Sequence, residues 1–402
     1  MSFYGGAERV IEQILRVYPS ADIFSLVDVT PAGQRDFLGG RSVRTTFLQR
    51  LPYVDKVYRG LFPFWPFAVE QIDVRGYDLV ISSHHSVAHG VVTSPAQTHV
   101  AYVHSPMRYA WDLQHEYLQE AGLRRSLKSL MARSVLHYAR MWDSGAAHRP
   151  DALAANSRFV QRRIRKFYGR DSEVIHPPVD VASFDTPSKD PRTEYVSVCR
   201  LVPYKRVNLL IEAFARMPHR RLIVIGTGPD LMKIAGMAPP NVAVMGWVDA
   251  NFLRHYMSTA KAVLFAGIED FGITLVEAQA AGTPVIALGR GGALETVRGL
   301  NRSPAPTGIL FDEQTPEAII AAIDEFERNE ASITERNCRE NAARFSEARF
   351  RDHFKAFVEA ALETGSETTP RAAPGSADVA VEVSGPGGAA AGRRIRPASA
   401  AV

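Results

Sequence analysis

Cysteine is scarce in this sequence of 402 residues, which contains only Cys199 and Cys338. Two thiols are too few for a disulfide framework or a thiolate zinc site, and this favours a reducing compartment. No run approaches the ~18 consecutive apolar residues that a membrane-spanning helix requires. The opening MSFYGGAERVIEQ has neither a basic start nor an apolar signal core. We therefore expect a cytoplasmic protein without a membrane-spanning segment.

Both ends of the chain lack apolar content. No aromatic residue follows Phe357, and residues 364–402 are rich in Ala, Gly, Pro and Ser, with a basic RRIR near the end. Such a tail buries too little apolar surface to order itself, so we predict that it is disordered. At the other end, no apolar run precedes the Gly5-Gly6 turn, where a parallel sheet normally has a strand. We expect either a start further upstream or a first domain that lacks an edge or central strand.

The rest of the chain has the composition of a globular protein, with 46% hydrophobic and 22% charged residues, and its length predicts two or three domains. Short apolar runs alternate with longer amphipathic stretches, the pattern of β-α-β units. The predicted strands are residues 23–27, 79–82, 99–104, 152–156, 195–199, 221–225, 242–245, 262–265 and 284–287. One sheet that held them all would be very wide, so we predict an α/β fold with two doubly wound parallel-sheet domains.

The best candidate for a domain boundary is Pro187–Arg192, because SKDPR follows the proline-rich HPPVDVASF segment and precedes a new strand. The predicted parts are a first domain at 1–186, a second at 187–344, a helix at 345–363 and the tail at 364–402. Apolar residues recur at helical spacing in the predicted helix, at Phe350, Phe354, Phe357 and Val358.

Glu269 and Glu277 flank the start of a predicted Ala-rich helix in EDFGITLVEAQAAG. Glu269 precedes the first turn, where backbone N–H groups have no intrahelical acceptor, and Glu277 lies about two turns further on. The amides concerned are those of Phe271, Gly272, Ile273 and Thr274. Such a terminus favours an anion, and the flanking carboxylates can accept hydrogen bonds from sugar hydroxyls. A helix with ordinary acidic capping residues is the alternative.

Arg200 and Lys205 follow a predicted strand in CRLVPYKR. The carboxyl end of a parallel strand is where open α/β sheets bind ligands, and a diphosphate requires cations for charge compensation. A cation-rich surface loop is the alternative interpretation.

Glycine turns follow several strands. GTGPDL at Gly226 is a weak sign of dinucleotide binding, and a tight strand-to-helix turn explains it equally well. The turns at Gly5-Gly6 and Gly291-Gly292 would also let a ligand approach the backbone closely.

Histidines gather at the ends of two predicted strands. His104 ends one strand in YVHSPMRYAWD, and His84, His85 and His89 follow the other in SSHHSVAHG. A metal site is one interpretation. Histidines without nearby carboxylates more often form hydrogen bonds to loops, which is the interpretation we favour.

Up to about Leu362, the chain resembles the retaining glycosyltransferases of family 4. The motifs that carry the resemblance are, in chain order, GGAER, SSHHSVAHG, YVHSPMRYAWD, ANSRFVQRRI, HPPVD, CRLVPYKR, GTGP, the E-x7-E pair and GGALETV. The chain looks most like the bacterial branch that builds polysaccharide and O-antigen chains, often as mannosyltransferases. The resemblance implies the GT-B fold, in which two Rossmann-like domains face each other across a cleft. It also implies that the last helix crosses back to the first domain.

The resemblance further implies the role of each candidate residue. Arg200 and Lys205 would bind the nucleotide diphosphate, Glu269 the hydroxyls of the donor sugar and Glu277 the ribose. Gly5 and Gly6 would approach the phosphates, and His104 would lie at the reacting sugar.

The implied reaction transfers a hexose, with mannose favoured, from a nucleotide-sugar donor to a growing glycan or a lipid-linked acceptor, with retention of anomeric configuration. No Asp-x-Asp lies at a suitable strand end, so we expect no metal and no cofactor. A nucleotide-sugar epimerase of the same fold and a non-catalytic nucleotide-sugar-binding protein are alternatives. A nicotinamide-dependent oxidoreductase is a further one, although GTGPDL lacks the third glycine of its motif.

Positive charge is concentrated in the first predicted domain. Between His104 and Arg170 there are thirteen Lys/Arg and five Asp/Glu, an excess that attracts anionic partners. The segments Arg41–Trp65 and Leu123–Arg140 interleave cations with apolar residues, as in proteins that bind anionic membrane surfaces. We expect a peripheral location at the inner face of the cell membrane and no nucleic-acid partner. The alternative is that the apolar residues pack into the core.

Overall fold

The computed structural model describes residues 1, 4–120, 122–123, 126–184, 192–366 and 379–383. The strands are β1 Asp22–Ser25, β2 Val43–Thr45, β3 Leu79–His84, β4 Thr98–Val103, β5 Ala152–Ala155, β6 Glu173–Val174, β7 Glu194–Val198, β8 Leu222–Ile225, β9 Val242–Gly246, β10 Ala260–Phe265, β11 Val285–Leu288, β12 Gly308–Phe311 and β13 Val379–Val383. The helices are α1 Gly6–Val17, α2 Val54–Val57, α3 Trp65–Val69, α4 Gln114–Glu120, α5 Leu127–Ala146, α6 Arg158–Tyr168, α7 Val207–Ala215, α8 Leu231–Met237, α9 Ala250–Thr259, α10 Ile273–Ala280, α11 Ala293–Thr296, α12 Pro316–Asn329, α13 Glu335–Ala342 and α14 Glu347–Ser366.

These elements form two compact units, each built on a parallel sheet. Among the described residues, 1–180 with 344–383 make the first unit, and 181–343 make the second. Every strand predicted from the sequence is present. The short strands β2, β6 and β12 were not predicted, and all three lie at sheet edges.

The second unit has the strand order β12-β11-β10-β7-β8-β9. Its strands are covered by helices, and large side chains such as Phe214 of α7 and Phe326 of α12 are fully buried in its core. Because all of the strands are parallel, the loops after β7, β8, β10 and β11 emerge at one edge of the sheet. The candidate residues of this unit follow two of these strands.

The first unit has the strand order β2-β1-β13-β3-β4-β5-β6, with β13 in an interior position between β1 and β3. Val381 of β13 lies opposite Ile23 of β1 and Ile81 of β3, and all three are fully buried. No strand precedes α1 among the described residues, and β13, a segment from much later in the chain, lies between β1 and β3. A start further upstream stays a prediction. The expectation of a disordered tail is wrong for residues 379–383. Apart from the last turn of α14, the rest of the tail lies outside the described residues.

The last helix, α14, belongs to the first unit and packs on α1 and β4. Phe350 and Phe354 are buried, and each ring contacts Tyr102 of β4. Phe357 and Val358 are buried in the same core. The helical spacing of these residues in the sequence thus corresponds to the buried face of the helix.

Two neighbouring parts of the first unit leave apolar side chains exposed, although both contribute to one core. In residues 47–67 the exposed residues are Phe47, Leu51, Tyr53, Val57, Phe64 and Phe67. On α5 they are Leu127, Leu130, Met131, Tyr138 and Met141. Tyr53 has a positive φ of 55°, which is unusual for a bulky residue. No helix among the described residues is long and apolar enough to cross a bilayer.

Replacing Val381 by Asp tests whether β13 stabilises the first unit. The substitution puts an unpaired charge between β1 and β3, and we expect it to destabilise this unit by about 3 kcal/mol or more. Deletion of residues 367–402 should lower the melting temperature still further, whereas deletion of 384–402, which retains β13, is the matched control. An unchanged thermal unfolding curve after the longer deletion would show that β13 is dispensable.

Candidate functional site

Two loops of the second unit pack backbone against backbone at the carboxyl edge of its sheet. A Cβ atom on Gly226 would lie 1.8 Å from the Cys199 carbonyl oxygen, and one on Gly228 would lie 2.1 Å from that of Leu201. The Leu201 N–H donates to the Thr227 carbonyl at 2.9 Å. The GTG turn therefore makes room for the CRLVPYKR loop. Its glycines have this structural cause, and they need no dinucleotide to explain them.

Lys205 and Glu269 form a buried ion pair at this edge. The Lys205 ammonium contacts the Glu269 carboxylate and lies 5.2 Å from the ring centre of Tyr204 and 5.1 Å from that of Phe265. Burial opposes the charge on Lys205, but the neighbouring groups, chiefly Glu269, outweigh it and raise the pKa of Lys205 above its ordinary value. Lys205 is therefore cationic throughout the physiological pH range.

Arg200 lies half-buried in the same loop. Within the described part of the chain, the Arg200 guanidinium makes no hydrogen bond or ion pair, so its charge is available to an anion. The neighbouring Cys199 thiol is a poor nucleophile, because burial raises its pKa to about 12.

The helix α10 begins at Ile273, shortly after Glu269, and Gly272 is its N-cap. Gly272 has φ 93°, a conformation that side chains other than glycine rarely adopt, and it turns the chain into the helix. Phe271 is buried beneath this turn, and Ile273 and Thr274 form the first helical turn. Glu277 is also buried on α10. The structure thus brings both glutamates and the predicted amides to the edge where Arg200 and Lys205 lie.

The Gly291-Gly292 turn holds the Glu269 segment in place. A Cβ on Gly291 would lie 2.3 Å from the Glu269 carbonyl oxygen, and one on Gly292 would lie 2.3 Å from that of Phe271. The Gly292 N–H donates to the Glu269 carbonyl at 2.8 Å. The chain that approaches these glycines closely is therefore the protein's own, which corrects the interpretation that they make room for a ligand.

His104, Gly5 and Gly6 belong to the first unit. The His104 ring is 2.9 Å from the Ser83 hydroxyl through Nε2, and burial lowers its pKa to about 3, so the imidazole is neutral. Gly5 precedes α1, and its N–H donates to the Glu8 carboxylate at 3.1 Å. Because Glu8 takes this donor, the backbone N–H of Gly5 is engaged within the protein.

Two of the strand-end histidines form a buried chain of contacts. Nδ1 of His84 is 3.2 Å from Nδ1 of His89, and Nε2 of His89 is 3.2 Å from the Asp143 carboxylate. The same carboxylate accepts hydrogen bonds from Trp111 and Tyr168. A carboxylate is therefore present, contrary to expectation, because α5 brings it from a distant part of the sequence. No group of three or more potential ligands among the described residues is arranged to hold a metal ion.

The sequence analysis missed one exposed aromatic residue at the same edge of the second sheet. Trp247 follows β9 directly, and its side chain is 76% exposed. The Gly-Trp pair immediately after an apolar strand is the signal that could have identified it. An exposed indole at the carboxyl end of a parallel strand offers a face on which a planar ring can stack.

Two protein families match the chain. Residues 4–183 match Glycosyltransferase Family 4, and residues 179–345 match Glycosyl transferases group 1. Together the two matches extend over nearly all of both units.

Curated relatives match part of the chain. The D-inositol 3-phosphate glycosyltransferase of Mycobacterium sp. (strain KMS) is 28% identical over 223 residues, 49% of this chain and 49% of the relative. The GDP-mannose-dependent alpha-(1-6)-phosphatidylinositol monomannoside mannosyltransferase of Mycolicibacterium smegmatis is 30% identical over 240 residues, 51% of this chain and 61% of the relative. The chain thus spans about half the length of the curated relatives it matches.

Solved structures share the fold over most of the chain. Anabaena HepE in complex with UDP and glucose has a TM-score of 0.65 at 18% identity, over 89% of this chain and 96% of that one. Sucrose-phosphate synthase from Thermosynechococcus elongatus has a TM-score of 0.61 at 19% identity, over 80% and 84%. At such identities the likeness is one of fold alone.

Single substitutions of the ion pair should destabilise the second unit, because each leaves a buried charge without its partner. We expect Lys205→Met and Glu269→Gln each to cost about 2–3 kcal/mol, less than a fully buried pair because Glu269 keeps some contact with solvent. The double variant should cost less than the sum. The stabilisation should be complete below the ordinary lysine pKa of 10.5 and be lost as pH rises through the raised value.

Unfolding in urea, measured for the two single variants and the double variant, checks this coupling. The exposed pair Arg336–Glu340, whose side chains are 2.7 Å apart, is the control, and we expect its removal to cost less than about 0.5 kcal/mol. Strictly additive losses at Lys205 and Glu269 would contradict the pairing.

Proposed function

The chain belongs to glycosyltransferase family 4 and has the GT-B architecture of two Rossmann-like domains, and on that premise we propose that it is a retaining hexosyltransferase. In this proposal it moves a hexose, with mannose favoured, from a nucleoside diphosphate sugar to a growing glycan or a lipid-linked acceptor. The observation that carries the proposal is the contact between Lys205, in the loop that also contains Arg200, and Glu269, which lies shortly before the start of α10.

The donor diphosphate is the leaving group, and it gains negative charge as the glycosidic bond breaks. Fixed cations and helix-end amides beside its oxygens stabilise that charge and lower the barrier. In the proposal, the available guanidinium of Arg200, the ammonium of Lys205 and the first amides of α10 do this work. They supply positive charge without a divalent ion, and the proposed reaction is accordingly metal-independent.

Glu269 and Glu277 are proposed to bind the hydroxyl groups of the donor, on its sugar and its ribose respectively. The Glu269 carboxylate forms an ion pair with the Lys205 ammonium. A donor that places its phosphate near Lys205 and its sugar near Glu269 would satisfy both partners. The pair would thus keep the site neutral and ordered until the donor arrives.

The remaining roles follow from family membership. His104 is proposed to act at the reacting sugar, where a neutral imidazole can exchange hydrogen bonds with a hydroxyl group, and Gly5 and Gly6 to approach the phosphates. Retention is proposed to proceed by attack of the acceptor on the face that the diphosphate leaves. The leaving phosphate would take the acceptor proton.

The names of the relatives support mannose as the donor sugar. One matched relative is described as GDP-mannose-dependent, whereas HepE was solved with UDP and glucose. We propose that the indole of Trp247 stacks on the donor base, which accommodates guanine and uracil alike.

We further propose that the enzyme works as a peripheral protein at the inner face of the cell membrane. The exposed apolar residues of segment 47–67 and of α5, defined above, support this proposal. Cations accompany them, among them Arg50 and Lys56 in the segment and Lys128 on α5. Arg124 and Arg125 lie outside the described residues. A basic surface with exposed aromatic side chains suits anionic headgroups, where a lipid-linked acceptor would be found.

Removal of the Arg200 charge should lower transfer by about 10²- to 10³-fold, because a contact to the developing charge is lost. Release of GDP from GDP-mannose and of UDP from UDP-glucose, with and without a membrane extract as acceptor, checks this for Arg200→Ala. Arg206→Ala is the control, since this neighbouring arginine is exposed. Full turnover by Arg200→Ala at saturating donor, or loss of activity in EDTA with rescue by Mn²⁺, would contradict the proposal.

Membrane binding is tested by flotation with vesicles of phosphatidylcholine and phosphatidylglycerol. We expect Met131→Glu and Phe64→Ser to weaken flotation at low salt, because each removes apolar surface that would enter the headgroup region. Met232 and Phe252 of the second unit supply matched controls, with exposures of 70% and 57% against 63% for Met131 and 57% for Phe64. Equal losses in Met232→Glu and Phe252→Ser, or no flotation of the unmodified protein, would overturn the membrane proposal.

A further inference from the structure

Three fully buried polar side chains form a network behind α10: Gln279 of α10, Thr296 at the end of α11 and Asn341 of α13. The Gln279 amide donates to the carbonyls of Leu275 at 2.9 Å and Thr296 at 2.8 Å. The Asn341 amide donates to the Gln279 side-chain oxygen at 2.6 Å and to the Thr296 carbonyl at 2.8 Å. Both amide groups thus converge on the backbone of Thr296.

Thr296 connects the network to the turn that holds Glu269. Its hydroxyl donates to the Gly292 carbonyl at 3.1 Å, and its N–H donates to the same oxygen at 3.0 Å. The Gly292 N–H in turn donates to the Glu269 carbonyl. An uninterrupted series of hydrogen bonds therefore runs from α13 to the backbone of the residue that pairs with Lys205.

The contact at Glu269 leaves little room for adjustment. Gly291 and Gly292 lie so close to Glu269 and Phe271 that even a methyl group on either glycine would collide with their backbone. Any shift of Thr296 must therefore displace the Glu269 segment as well. A wholly apolar cluster would fill the same volume, but it would not fix the position of the Thr296 carbonyl, because only directional hydrogen bonds do so.

We propose that Gln279, Thr296 and Asn341 are positioning residues for Glu269 and act through the Gly291-Gly292 turn. The inference rests on the proposed function, because the task proposed for Glu269 is to bind the donor sugar. The network then determines how well the carboxylate meets that sugar. It leaves the affinity for the nucleoside diphosphate to Arg200, Lys205 and Glu277 and to the first amides of α10.

Near-isosteric variants remove the hydrogen bonds and keep the volume. We expect Thr296→Val and Asn341→Leu each to lower turnover of GDP-mannose or UDP-glucose about five- to tenfold, with the affinity for GDP and UDP unchanged by calorimetry. Thr296→Ser, which keeps the hydroxyl, should restore turnover. Combined with Glu269→Gln, the variants should cause no further loss, because the residue that they position is already disabled. A full additional loss of turnover in the Glu269→Gln background would overturn the inference. So would a turnover of Thr296→Ser as low as that of Thr296→Val.

A second double-mutant cycle measures the free energy of unfolding and needs no substrate. The losses of unfolding free energy caused by Thr296→Val and Lys205→Met should sum to more than the loss in the double variant, because the network holds the carboxylate against Lys205. Additive losses would overturn the inference. Asn241 supplies the control, since its amide donates to the carbonyls of Phe214, Met217 and Arg220, at the end of α7 and in the loop after it. Asn241→Leu should be additive with Lys205→Met. If the unmodified protein released no nucleoside diphosphate from either donor while this coupling persisted, the proposed function alone would fail.

Discussion

The site in the second unit depends on loops that approach one another without side chains between them. Four glycines, Gly226, Gly228, Gly291 and Gly292, each face a backbone group that a Cβ atom would reach at 1.8–2.3 Å. Real Cβ atoms do not come so close to a carbonyl, so alanine at any of these positions would force the loops apart. These glycines therefore set how closely the GTG turn packs on the CRLVPYKR loop and how closely the Gly291-Gly292 turn packs on the Glu269 segment.

This close packing explains why a buried ion pair is tolerated at the site. A lysine and a carboxylate that leave water lose more solvation energy than their attraction returns, unless their geometry is well fixed. Here the Lys205 loop rests on the GTG turn, and Glu269 is held by the Gly291-Gly292 turn, so both partners are fixed from behind. With both partners fixed in position, their attraction can offset the solvation energy that they lose.

The sequence predicted most of this site, because the signals there are local. A strand followed by Arg200 and Lys205, and a helix start flanked by Glu269 and Glu277, are visible in short segments, and parallel strands bring such loops together without knowledge of the tertiary structure. The Gln279–Asn341 contact joins residues that lie far apart in the chain, on two different helices. Nothing in either segment indicates that contact. Asp143 beside His89 escaped prediction for the same reason.

Strand β13 of the first unit was missed by the sequence analysis for a different physical reason. The segment VAVEV is short, and it lies in a tail rich in Ala, Gly and Pro, a composition that predicts disorder. The pairing of VAVEV with β1 and β3 is therefore decided by the open position between these two strands rather than by its own strand propensity. The two units also differ in when they can fold. Among the described residues, the second unit is continuous in sequence and can complete its core as it is synthesised, whereas the first unit requires α14 and β13, which lie much later in the chain than its other elements. Loop closure over such a separation is slow, so the first unit is the part whose exposed strand edges persist longest before the chain is complete.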